Sequence, residues 1–237
     1  MLLENFNVYC PMKLNTIIKL ILTTLLVTGY SANGEEDEFV ELDITSNKIP
    51  IQKESDQWIR ISVPFKLKKH PRLEALNGRR PSSLSEAFNP KFINNIKVKI
   101  WICFPNKFKQ DLLSSANIGA TEFYNYYSAE VEYLTLEFDR STKNATFLFP
   151  TPIAERDGFL EAYVKPVGYV IEISHKGTNF EMRDAVYFDY RGVTPQVLES
   201  FKSRAMSGSS ENEGILVPAH KVNMNYLDGM GPVKAKD

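Results

Sequence analysis

Between positions 59 and 68 apolar and polar side chains take turns: Ile59, Ile61, Val63, Phe65 and Leu67 against Arg60, Ser62, Pro64, Lys66 and Lys68. A period of two puts one set on one face of an extended strand and predicts that face inward. Pro64 has no N–H to give a ladder, which predicts an edge position or a bulge there. The alternation returns at Ile96, Val98, Ile100, Ile102 and Phe104, with Lys97 and Lys99 on the other face. Trp101 and Cys103 then replace the polar residues, so the end of this strand is expected to be covered on both sides. Ala129, Val131 and Tyr133 hold one phase and Leu134, Leu136 and Phe138 the other. One inserted residue, a bulge near Tyr133 and Leu134, accounts for the switch.

Turn formers over 139–144 lead to a return strand at Ala145 to Phe149. Phe159 to Val164, Gly168 to Ser174 and Ala185 to Tyr190 are further strand candidates, separated by Pro166 and by the turn-rich stretch 175–179. About seven strands with short turns predict a β-sandwich. One α-helix stands out late in the chain: Thr194 can cap it, Pro195 suits its first position, and Val197, Leu198, Phe201 and Ala205 form an apolar stripe to lie on a sheet. Ser207 to Gly214 reads as a flexible loop, followed by a last short strand at Ile215 to Val217. His70 to Pro90 is a long polar connection.

Ahead of the strands, Lys13 and Lys19 precede the apolar run Leu20 to Val27, and small residues follow at Gly29, Ser31, Ala32 and Gly34. That order is a secretory signal, 1–34, with cleavage after Ser31 or Gly34, and Met12 is a more natural initiator than Met1. An uncleaved anchor is the competing reading, although the run is short of the ~20 residues a span needs. The remaining chain divides into an acidic flexible leader, 35–48, a sandwich domain, 49–228, and a flexible tail, 229–237. Cys10 leaves with the signal, so the mature chain keeps the single thiol of Cys103 and no internal disulfide.

Composition narrows the function classes. Apolar and charged fractions of 43% and 24% are those of an ordinary folded protein, and a net charge of -1 does not favour nucleic acid. The sequence holds no phosphate-cradling Gly-rich loop with its Lys, no His-Glu-x-x-His, no Cys-x-x-Cys and no Gly-x-Ser-x-Gly. His70, His175 and His220 lack a second ligand at metal spacing. No cofactor, metal or catalytic residue is therefore expected. Glu130 and Glu132 share a strand face about 7 Å apart, a separation in the range of paired glycosidase carboxylates, but the solvent side of an amphipathic strand explains both. Tyr124, Tyr126 and Tyr127 offer a candidate glycan platform, against which stands packing at a sheet margin. Lys66, Lys68, Lys69, Arg72, Arg79 and Arg80 gather around one loop as a candidate partner-binding surface for an acidic protein, an anionic glycan or a membrane surface.

Three segments carry a resemblance: Trp58 to Lys66, Ile153 to Phe159 and Glu213 to His220. Together they resemble a secreted immunoglobulin-like protein family of Verrucomicrobia, encoded beside type IV pilus-like assembly genes. The resemblance implies an immunoglobulin-like β-sandwich in the periplasm or outer envelope with a structural or assembly role. It carries over no catalytic residue, and the antibody-type bridge has no second cysteine. The leading expectation is an exported, non-catalytic interaction protein of the cell envelope whose partners are envelope or pilus-like components, with no membrane span after cleavage. A carbohydrate-binding module and a glycoside hydrolase are the alternatives.

Overall fold

A computed structural model of the chain describes residues 38–45, 48–113, 120–160, 164–227 and 230–234. The expected signal, with Cys10, Met12 and both cleavage positions, lies outside the described residues. Among the described residues the strands in chain order are β1 (Val40–Leu42), β2 (Ile51–Lys53), β3 (Trp58–Leu67), β4 (Phe92–Pro105), β5 (Tyr124–Glu137), β6 (Lys143–Pro150), β7 (Gly168–His175), β8 (Thr178–Asn179), β9 (Val186–Phe188) and β10 (Val217–Pro218). The helices are α1 (Pro71–Leu76), α2 (Lys107–Leu113), α3 (Thr151–Asp157) and α4 (Pro195–Gly208).

They form two antiparallel sheets packed as a β-sandwich. In the first, β3 lies between β6 and a broken edge made of β1 and β2, and β10 extends the far side of β6. In the second, β4 lies between β5 and β7, and β7 is edged by β9 and β8 laid end to end. With each broken edge counted as one strand position, the described residues give four positions in each sheet, one more than the seven strands expected.

The alternating residues fill the space between the sheets. Ile59, Ile61, Val63 and Phe65 of β3 meet Ile96, Val98, Ile100 and Ile102 of β4, all 0% exposed. A second, smaller core lies on the outer face of the second sheet, where Phe201 and Ala205 of α4 cover Trp101, Cys103, Tyr126, Val170 and Phe188. The doubly covered end of β4 and the helix laid on a sheet thus have one cause. Thr194 Oγ1 accepts the Val197 N–H at 3.4 Å, with Pro195 opening the helix as expected.

Four local expectations change. β3 is an inner strand despite Pro64, whose carbonyl accepts from the Asp43 N–H at 2.9 Å where β1 ends. Its missing donor faces Asp43, just past the end of β1, so the bond proline withholds falls at the break in the edge and not within the ladder to β6. The phase switch of β5 involves both partners: Ile93 and Leu136 face inward together, as do Ile96 and Tyr133, and the strand register is the same on either side. Asn95 takes a left-handed φ of 57° at this step, so the pair turns over as a unit without an inserted residue on one side. Phe159 and Leu160 carry no strand, because the chain leaves α3 there to cross between sheets, and 161–163 lie outside the described residues. The expected flexible loop at 207–214 instead continues α4 into a 3-10 turn, Ser209–Asn212, held by Asn212 Nδ2 donating to Tyr126 O at 3.0 Å.

Both chain ends contribute more than a leader and a tail would. Val40 and Leu42 are buried in β1, within the stretch read as the acidic leader. Along β5, Leu134 N–H bonds Pro232 O and Lys234 N–H bonds Glu132 O, each at 2.7 Å.

Gly168 opens β7 beneath α4, where a methyl group would come within 2.5 Å of Tyr187 O and 2.7 Å of the Phe201 ring. Gly168→Ala is expected to lower unfolding free energy by about 2 kcal/mol, measured by urea denaturation. An unchanged midpoint would show that β9 and α4 move aside freely.

Candidate functional site

The two sheets meet differently at the two ends of their β1/β2 and β8/β9 edges. At the β1 end Phe39 stacks on Phe180 with ring centroids 5.6 Å apart, and Glu38 accepts from the Arg183 N–H at 3.1 Å. That end is plugged. At the β2 end a cavity of about 670 Å³ opens between the edges, lined from one side by Lys48, Ile49, Ile51 and Lys53 and from the other by Tyr169 and Tyr187. Leu160, Val164, Lys165 and Pro166, from the connection between α3 and β7, form its third wall. Ile49 and Tyr169 belong to the main core, and Ile51, Leu160, Val164 and Tyr187 pack against it. The floor of the slot is thus the open margin of that core.

Tyr169 and Tyr187 lie with ring centroids 5.4 Å apart. Burial raises the Tyr169 phenol above its ordinary range, and the nearby Asp184 and Tyr187 add to the shift. Burial also raises Tyr187, helped by Asp189, so both stay protonated and uncharged at neutral pH. Lys53 bonds Asp56 at 3.0 Å in open solvent. Lys48 and Lys165 meet no carboxylate within ion-pair distance among the described residues. Ile51 and Lys53 flank Gln52 along β2 and so share one face of the strand.

The third wall is anchored by a buried carboxylate. Asp157, at the end of α3, is 2% exposed and accepts from Tyr127 Oη at 2.6 Å, Asn125 Nδ2 at 2.8 Å and Arg156 Nε at 2.8 Å. Burial alone would raise its pKa, but the bonds from Arg156, Tyr127 and Asn125 outweigh that and hold it below the ordinary 3.8. Gly158 then ends the helix at a left-handed φ of 75°, and Phe159 stacks on Phe104 at 4.4 Å. From these two fixed points the chain runs out to Leu160 and the slot.

The residues singled out in the sequence lie elsewhere. Tyr126 and Tyr127 are 4% and 0% exposed on opposite faces of β5, one under α4 and the other on Asp157. Successive strand residues diverge, so Tyr124, Tyr126 and Tyr127 make no shared open surface. Of the basic cluster, Lys66 pairs with Asp43 at 3.0 Å and Lys68 with Glu41 at 2.5 Å, partners supplied by the stretch read as a leader. Arg79 forks onto Glu86 with two bonds of 2.8 Å, and that arginine together with Ser82 lowers the Glu86 carboxyl to about 2. Arg72 donates to Ser85 O at 2.8 Å and lies 4.5 Å over the Phe88 ring. Lys69 is half-buried beside β1 and Arg80 is exposed. Three of the six, Lys66, Lys68 and Arg79, thus hold ion pairs at the surface.

Glu130 lies 3.9 Å from both Lys97 and Lys99, and Glu132 is 3.5 Å from Lys234. Both glutamates belong to the wet face of β5, as amphipathic alternation predicts. Cys103 is 0% exposed, and burial pushes its thiol far up, which leaves no thiolate for attack. His70 and His175, distant in sequence, line one cavity at the far end of the sandwich. His70 donates from Nε2 to Phe92 O at 3.0 Å and accepts the Arg72 N–H at Nδ1, capping α1. Among the described residues no group of three or more His, Cys, Asp or Glu is placed to hold a metal ion. Nor is any described helix long and apolar enough to cross a membrane.

Sequence reasoning missed the slot because its walls come from three separated stretches with no motif. Comparison with protein families, characterised proteins and solved structures finds no match to this chain.

Asp157→Asn puts an amide N–H where three donors converge and is expected to cost about 3 kcal/mol. Because the folded carboxyl titrates below 3.8, its contribution is complete above that pH and is lost as pH falls through the lower folded value. Urea denaturation at a series of pH values should show wild type and Asp157→Asn converging in acid. A constant gap down to pH ~2 would remove the charged form from the account.

Proposed function

We propose that this chain is a non-catalytic binding module, acting in the cell envelope after export, whose working site is the slot between β2 and β9. The observation that carries this reading is an apolar cavity of about 670 Å³ at one end of an otherwise plugged edge. Its volume falls in the ~300–1,000 Å³ range of small-molecule sites, and the rigid sheets on either side preform it. The ion-paired glutamates and the buried tyrosines weigh against the hydrolase and glycan-platform alternatives.

A second reading keeps the partner protein expected from the sequence, an envelope or pilus-like component. Ser62 N–H bonds Pro50 O and Glu54 N–H bonds Trp58 O, so the hydrogen-bonded pairs of β2 with β3 fall on even-numbered residues. The backbone groups of Ile51 and Lys53 therefore point outward, where an incoming strand can add.

A neutral, environment-sensitive dye such as Nile red is expected to bind the full-length chain with Kd of roughly 1–10 µM, and Val164→Trp to weaken it about tenfold. Fluorescence titration reads both, and absence of saturable binding removes the slot from the function. Export predicts a mature amino terminus at Ala32 or Glu35, read by mass spectrometry of protein recovered from the envelope fraction. Recovery of the intact chain from the cytosol contradicts it.

A further inference from the structure

We infer that the slot takes a single-chain anionic amphiphile, a fatty carboxylate, with its tail against the core margin and its headgroup among Lys48, Lys53 and Lys165. The inference rests on the slot being the working site and adds the chemistry of its ligand.

The floor decides the tail. Ile49, Ile51, Leu160, Val164 and the tyrosine rings are surfaces that the core itself is built from, and Ile49 and Tyr169 are 5% and 0% exposed. A hydrocarbon chain entering here meets dispersion partners on three sides. The rim decides the headgroup. Among the described lining residues the charged side chains are three lysines, and none is a carboxylate. Lys53 holds Asp56 in a pair 55% and 99% exposed, which solvent screens, so its charge remains available to a ligand. The lining thus combines apolar side chains with lysines, which suits the tail and the headgroup of a soap-like anion. A cation would set like charge against the lysines, and a neutral amphiphile would leave them facing none.

The alternative occupant, a partner strand, is less well served. β2 spans only Ile51–Lys53, and β9 across the slot only Val186–Phe188. So short an edge offers few backbone bonds to offset the ordering of a peptide.

The test uses the full-length chain, Nile red as the displaced probe, and octanoate, decanoate, dodecanoate, dodecanol and dodecyltrimethylammonium below their micelle concentrations. Affinity is expected to rise about fourfold per added methylene until the slot is filled. Dodecanoate should bind about tenfold tighter than dodecanol, the cation weakest of all, and added salt should narrow the gap. The double substitution Lys48→Glu with Lys165→Glu should erase the preference for dodecanoate over dodecanol, with circular dichroism checking that the variant is folded. If that variant fails to fold, the salt dependence of the wild-type preference decides the matter. Equal affinity for dodecanoate and dodecanol, with Nile red still bound, overturns the ligand and leaves the slot. Failure of dye and carboxylate alike overturns both. Displacement of the dye by an extended apolar peptide, but not by dodecanoate, overturns the inference in favour of a partner strand.

Discussion

The Asp157 carboxylate is the point on which the arrangement turns. A charge with 2% exposure survives only if its oxygens are filled, and here Tyr127, Asn125 and Arg156 fill them from two different elements. Tyr127 and Asn125 belong to β5 in the second sheet, whereas α3 continues directly from β6 in the first. The network therefore fastens one layer of the sandwich to the other at the place where the chain crosses between them. Leu160 and Val164 follow within a few residues, so the wall of the slot takes its position from a buried polar bond.

A second dependence runs through the outer face of the second sheet. Trp101, Cys103 and Tyr126 would be an apolar patch on an open sheet, and α4 exists to cover them. Phe188 and Phe201 stack at 4.5 Å across that contact, with Gly168 giving the room for it. Because β9 carries Phe188 on one side of the sheet and Tyr187 on the other, the helix that shields the back also sets the front wall of the slot.

Most of the sandwich was legible because its long strands alternate without ambiguity. Ile59 to Leu67 and Ile96 to Phe104 announce both their inner face and, through Trp101 and Cys103, the second layer above them. Thr194 and Pro195 announce the helix start with equal clarity. What escaped reading were the pieces whose structure is decided by their neighbours. β1 and β2 are three residues each, too short for any period to appear, and the pairing of Glu41 and Asp43 with Lys68 and Lys66 joins positions that only folding brings together. Tyr126 and Tyr127 looked like a shared surface because sequence proximity hides the strand's two-sidedness. The slot itself leaves almost no local trace, since Lys48, Lys165 and Tyr187 share nothing but a place.

The interrupted edges have a consequence for how the protein behaves when crowded. Neither flank at β1/β2 or β8/β9 presents an uninterrupted ribbon: the pieces are two or three residues long, and Pro50 and Pro64 sit at the break on one side. A second molecule laid alongside would find its ladder cut after a few rungs, with nothing to carry register into a third. The fold can thus leave a greasy mouth open beside its margin without seeding fibrils from it.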